Sequence, residues 1–133
     1  MKEYPVLNIN RLITEKSIHE YSDDNLAITC NLKGVFQSTP AFRSSFFGVF
    51  FCAKGSVQFN FNGREQFLQR NQVCIFFPTN LLSEALFSPD CHVWTVGITQ
   101  VFFNGIIRRD KLADNTIAYL YNNPIHRLEA FGA

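Results

Sequence analysis

Residues 46–54 read FFGVFFCAK, a stretch that is apolar on both faces if it forms a strand. Alternation sends Phe46 and Phe50 to one side and Phe47, Val49 and Phe51 to the other. Burying a Phe side chain is worth about 1.5–3 kcal/mol, so neither row can be left to water. One face must fill a core. The other must meet either a helix of the same chain or a partner subunit, which makes Phe47, Val49 and Phe51 candidate dimer-interface residues.

The sequence around this strand has the same short-strand character. Val57, Phe59 and Phe61 alternate with Gln58 and Asn60, the period-2 signal of a half-buried strand. Asn62-Gly63 then offers a two-residue hairpin turn, because both residues tolerate positive φ. That turn sets Phe61 opposite Arg64, Phe59 opposite Gln66 and Val57 opposite Leu68. A polar Gln66 on the Phe59 face implies either a longer loop or a partly polar interior. Further strand-like runs lie at 26–32, 64–69, 73–77, 84–88 and 92–98. Lys33-Gly34, Gly55, Asn71, Pro78-Thr79-Asn80 and Ser88-Pro89-Asp90 break the chain between them. Closely spaced strands with such turns predict an antiparallel sandwich or barrel.

The period changes at Thr99. Phe102, Phe103, Ile106 and Ile107 recur at helical spacing, Thr99 can cap the start, and Gly105 weakens the run by roughly 1 kcal/mol relative to Ala. A second helix is expected from Asp114 or Asn115 to Asn122, with Ile117, Leu120 and Tyr121 on one face and Pro124 as its stop. Residues 124–133 offer one last strand.

With 133 residues, a single domain spanning 1–133 is expected. Its 12 Lys+Arg are balanced by 11 Asp+Glu, with neither half basic enough to follow a phosphate backbone. The basic cluster Arg108-Arg109-Lys111 is interrupted by Asp110 and followed by Asp114. Cys30, Cys52, Cys74 and Cys91 show no CxxC pair and no metal-ligand spacing. They read as small buried hydrophobes in a reducing cytosol, and so predict a cytoplasmic protein. No signal peptide is expected, because Met1-Lys2-Glu3-Tyr4-Pro5 leads into a mixed polar stretch. The longest stretch without Asp, Glu, Lys or Arg, residues 91–107, is too short and too polar to span a membrane, which takes about 20 apolar residues.

Residues 40–80, PAFRSSFFGVFFCAKGSVQFNFNGREQFLQRNQVCIFFPTN, carry an Arg before an aromatic-rich strand, "KG" before the next strand, a hairpin, and then L-x-x-N-x-x-x-x-F-x-P. This order resembles the N-terminal cupin-type domain of AraC-family transcriptional regulators, and the likeness extends over about residues 40–128. The resemblance implies a mainly all-β, cupin-like jelly-roll β-barrel with one or two short C-terminal helices. It also implies a domain that binds a small-molecule effector, forms a homodimer, or does both. DNA contact then belongs to a C-terminal helix-turn-helix domain expected after residue 133.

Metal-binding cupins place a His-x-His pair in the first motif and a further His after the Pro of the second. Here those places correspond to Phe42, Ser44 and the segment Thr79-Asn80-Leu81-Leu82-Ser83, none of which is a usual ligand set. No metal and no other cofactor is expected. His19, His92 and His126 match neither motif and read as ordinary histidines. No GxSxG elbow accompanies Ser44, Ser45 or Ser83, and Glu65, Glu84 and Asp90 read as solvated carboxylates, so no catalytic residue is assigned.

An effector would sit in the barrel among Phe42, Ser44, Phe59, Gln66, Leu82 and Trp94. Arg43, which with Phe42 and Ser44 is expected to begin the aromatic strand, would either clamp an anion at the barrel mouth or pair with a surface carboxylate. Taking Trp94 as inward also turns His92 and Val96 inward. Two rival readings have no sensor role. One is a free-standing cupin enzyme, such as an isomerase or metal-dependent oxygenase; the other is a dimerisation module with a solid Phe core.

Overall fold

In the computed structural model, residues 3–9, 21–110 and 114–127 are described. The Asn62-Gly63 turn forms as expected, with φ of 52° and 81°. It joins β6 (Ser56–Phe61) to β7 (Arg64–Gln69) in the expected register, Phe59 opposite Gln66 and Val57 opposite Leu68.

This hairpin is the tip of a long folded ribbon. On either side of it, β5 (Phe47–Lys54) pairs with β8 (Gln72–Phe76), and β4 (Ala41–Ser44) pairs with β9 (Leu81–Phe87). The outermost pair is β3 (Leu26–Thr29) with β10 (His92–Ile98), and all of these pairs are antiparallel. The ribbon curls until β9 also meets β6 and β10 also meets β5. Successive pairs thus fall alternately into two sheets, which is the jelly roll. Short strands β1 (Val6–Leu7), β2 (Tyr21–Ser22) and β11 (Ile125–Arg127) extend the edges. The sheet orders are β1-β4-β9-β6-β7 and β11-β8-β5-β10-β3-β2. The expectation of a mainly β jelly roll with short C-terminal helices is met by the strand order itself.

Helix α2 (Gln100–Asp110) follows β10 directly. The Thr99 hydroxyl accepts from the Phe102 N–H at 3.3 Å and the Thr99 carbonyl from the Phe103 N–H at 3.0 Å, so Thr99 starts the helix as expected. Helix α3 (Asp114–Asn122) ends before Pro124, and β11 is the last strand expected.

Three local readings are corrected. Residues 32–38 form a helix, α1 (Leu32–Ser38), where the sequence suggested the end of a strand and a Lys33-Gly34 break. Its buried residues Leu32, Val35 and Phe36 stand at helical spacing, and their burial outweighs the Gly34 penalty. Next, Phe42 to Ser44 do not begin the aromatic strand but form β4 in the other sheet. The chain turns a corner at Ser45-Phe46, where the Ser44 hydroxyl donates to the Phe46 carbonyl at 2.7 Å and the Ser45 N–H donates to the Leu7 carbonyl at 3.1 Å.

The third correction concerns β10. Its buried row is Val93, Thr95 and Gly97, so Trp94, Val96 and exposed His92 belong to the outer face. The larger side chains face out because the interior is already filled. Phe76 stacks on Phe50 with ring centres 4.7 Å apart and meets Phe46 edge-on at 5.5 Å. Across the sheet, Phe76 neighbours Gly48, which neighbours Gly97, which neighbours Ala27. One Phe ring thus lies beside a row of three small residues, and a large side chain at position 97 would compete for the same space.

Cys52 and Cys74 have no exposed surface, and all four thiols are free. Burial pushes the thiols of Cys74, Cys52 and Cys91 above the ordinary value near 9.0, Cys74 furthest. The folded chain therefore keeps these protons at a pH where the unfolded chain releases them. The contribution to stability is complete below about pH 9 and is lost as pH rises above it. We expect the urea midpoint to fall between pH 8 and pH 10.5, and Cys74→Ala to flatten that fall. An unchanged slope in the variant would show that other groups govern it.

Candidate functional site

Phe42, Ser44, Phe59 and Leu82 come together inside the barrel. All are buried. Phe42 and Leu82 are cross-strand neighbours, Leu82 neighbours Phe61, and the Phe42 ring lies 5.2 Å from Phe36 of α1, which closes that end. The Ser44 hydroxyl is occupied at the chain corner, where it donates to the Phe46 carbonyl and accepts from the Phe46 N–H at 3.1 Å. Beside it, the Asn80 side-chain oxygen accepts from the Phe77 N–H at 2.6 Å.

Gln66 shares the Phe59 side of β7 but is only half-buried. It lines a mixed polar pocket of about 230 Å³ between the β6–β7 hairpin and the end of α3, with Arg64, Tyr121 and Asn122. The polar residue on the inner face thus reflects a barrel end, not a polar centre.

Arg43 and Trp94 are not in the interior. Arg43 points outward, and its guanidinium donates to the Thr79 carbonyl at 2.8 Å. It holds a turn in which Thr79 takes φ of 75°, a costly conformation for a β-branched residue. Trp94 lies on the outer face of β10, edge-on to His92 at 5.4 Å. His126 sits on β11, near Tyr119 with ring centres 6.0 Å apart. His19 and Lys111 lie outside the described residues, as do the side chains of Arg108 and Arg109. No group of three His, Cys, Asp or Glu among the described residues is placed to share a metal ion.

The most distinctive space lies on the other side of the six-stranded sheet. The outward residues of β5, β8 and β10 form a continuous apolar floor: Val96 neighbours Val49, Val49 neighbours Ile75, and Ile98 neighbours Phe47. The cover over Phe47 and Val49 comes from the same chain. Phe103 of α2 stacks on Phe47 at 3.7 Å, with ring planes 18° apart, and Phe77 meets Phe47 edge-on at 5.4 Å. Ile117 and Leu120 of α3 close the remaining side. Phe51 is half-buried between Trp94 and Val73 in the sheet.

Helices and sheet do not meet completely. A cavity of about 180 Å³, partly open at its edge, remains between them. Thr116 is the one described lining residue with a polar side chain, and no ionisable group is among them. The described lining offers nothing to position an acid, a base or an anion and suits an uncharged apolar guest. The signals for it were present in the sequence as separate pieces, the outward row of the aromatic strand and the apolar faces of two helices. The contributions of Ile75, Phe77, Val96 and Ile98 were missed, because they depend on which strands are neighbours.

No family model matches the chain, and no curated protein matches it. Among solved structures it is similar to a cupin 2 conserved barrel domain protein from Leptotrichia buccalis, at 12% identity and a TM-score of 0.42. That match covers 70% of this chain and 47% of the other, so this chain spans about half the length of that protein. It is also similar to the plu4264 protein from Photorhabdus luminescens, at 12% identity and a TM-score of 0.40, over 76% of this chain and 98% of the other. No helix among the described residues is long and apolar enough to cross a membrane.

Proposed function

We propose that this chain is the sensing and dimerisation domain of an AraC-type transcription regulator acting in the cytoplasm, with no catalytic role of its own. The observation that carries the reading is the helix pair α2 and α3, which roofs an apolar cavity on one side and offers apolar side chains to solvent on the other. Val101 is 80% exposed, Tyr119 60% and Phe102 41%. An occupant of the cavity bears on the inner side of the same helices whose outer side suits a second copy. Binding and pairing are thereby coupled through one element, as a population shift requires. The resemblance of residues 40–128 to the regulatory domains supplies the biological context. We place the effector in this cavity in preference to the barrel interior, where Phe46, Phe50, Phe59 and Phe76 are closely packed.

DNA recognition would then reside in a helix-turn-helix region outside these residues. A near-neutral chain releases few counterions on a duplex and so has little basal hold on it. Among the described side chains of α2 and α3, exposed Val101, Phe102 and Tyr119 stand beside Gln100, Asn104 and Asn122, and none is a Lys or Arg of the kind a recognition helix offers to phosphates. The test is a fluorescence titration against the DNA upstream of the protein's own reading frame, at moderate salt. This chain and a longer one continuing past Ala133 are compared. The longer chain should bind that DNA at least about 10³-fold more tightly than unrelated DNA; the 133-residue chain should show no such preference. Specific binding by the short chain, or none by the long one, would overturn the reading.

A further inference from the structure

From the lining of the helix–sheet cavity, we infer that its ligand is a single uncharged aromatic ring of about toluene size. The inference deepens the sensor reading and rests on it for its regulatory consequence, though not for the binding itself. Volume sets the scale of the sheltered part. A buried apolar cavity of about 150 Å³ in another protein stays dry and admits benzene, and the space here is about 180 Å³. A fatty acyl chain would fit only by extending through the open edge.

Chemistry sets the class. The floor of Val49, Ile75 and Val96 and the roof of Ile117 and Leu120 are aliphatic. A carboxylate or ammonium among them would lose its hydration without gaining a partner from the described lining. The third wall is aromatic and selects a ring over an alkane. Phe47 and Phe103 form a stacked pair, and Phe77 stands edge-on to Phe47 at 5.4 Å and to Phe103 at 6.4 Å. A flat ring seated beside them finds both faces and edges to meet, the arrangements that aromatic pairs prefer. A void of this size also forfeits contacts that its lining would otherwise make, so a guest gains dispersion there.

The partial opening at the edge gives small molecules a way in. Because the roof is built from α2 and α3, the ligand would hold both helices against the sheet.

The test uses toluene as the probe, with benzoate as its charged counterpart, on the 133-residue chain. Methyl NMR signals of Val49, Ile117 and Leu120 should shift saturably with toluene, and benzoate should bind at least about tenfold more weakly. In a series of alkylbenzenes, affinity should rise and then fall once the substituent outgrows the cavity. That ligand series needs no variant. Leu120→Phe should fill the space and weaken toluene at least about tenfold, with circular dichroism confirming the fold; if it fails to fold, the alkylbenzene series decides.

The ligand class is overturned if no saturable shift occurs up to the solubility of toluene, or if benzoate binds equally well. Shifts mapping to the barrel interior, or toluene affinity falling as the protein associates, would also overturn it, the last by making a second copy the occupant. The two readings can fail separately. Toluene binding with no effect on the DNA affinity of the longer chain would leave the ligand standing and remove the sensor. Specific DNA binding with no toluene site would do the reverse.

Discussion

Phe76→Ala is expected to cost about 3–5 kcal/mol of unfolding free energy, the usual range for emptying a fully buried Phe position. Phe76 is 1% exposed and holds two aromatic contacts at once, stacked on Phe50 and edge-on to Phe46. Its ring also lies where a side chain at position 48 would go. A Cβ on Gly48 would meet the end of the Phe76 ring and come within 2.7 Å of the Val96 carbonyl oxygen. Gly48→Ala alone should therefore cost about 2–3 kcal/mol by overpacking. In the Phe76→Ala background the ring is gone and only the Val96 contact is left, so the double variant should cost at least about 1 kcal/mol less than the sum. Urea titrations of the four proteins measure this directly. Strict additivity would mean that Phe76 and Gly48 do not share the space as described.

The second large effect separates the two sides of α2. Phe47→Ala should cost about 2–3 kcal/mol, below the fully buried range because Phe47 is only half-buried. It removes the stacked partner of Phe103 and one wall of the cavity, so α2 should lose its hold on the sheet and part of the helical circular dichroism should go with it. Phe102→Ser, one residue before Phe103, should stay within about 0.5 kcal/mol of the parent, since its side chain is exposed. On the dimer reading, Phe102→Ser should instead weaken self-association in a light-scattering dilution series. If Phe102→Ser unfolds the helix and Phe47→Ala does not, α2 is docked by its other face.

Much of the strand pattern was readable because it rests on short-range rules. The Asn62-Gly63 turn forces positive φ at two successive residues, and that alone sets the register of β6 against β7. The two rows of β5 followed from simple alternation, which sets Phe50 on the opposite side from Phe47, Val49 and Phe51. Thr99 marked the start of α2, since a hydroxyl before an apolar helical run has an orphan N–H to accept from. Helix α1 was missed despite Leu32, Val35 and Phe36 standing at helical spacing. A Gly34 inside a seven-residue helix argues against it locally, and only burial of those three side chains argues for it.

What the chain determines by itself is thus its local periods, its turns and the need for two covered faces on the aromatic strand. Those follow from backbone stereochemistry and from the cost of wetting Phe. The tertiary structure alone decided which way Trp94 faces, because alternation supplies two rows and not a direction. The direction follows from volume: Phe76 and Phe50 take the space inside, which leaves the inner row of β10 to Val93, Thr95 and Gly97. It alone also placed the apolar cavity outside the barrel. That space exists only where outward rows of β5, β8 and β10 are brought side by side and then incompletely roofed by two helices. Strand adjacency of this kind comes from pairing over long sequence separations, which no local pattern encodes.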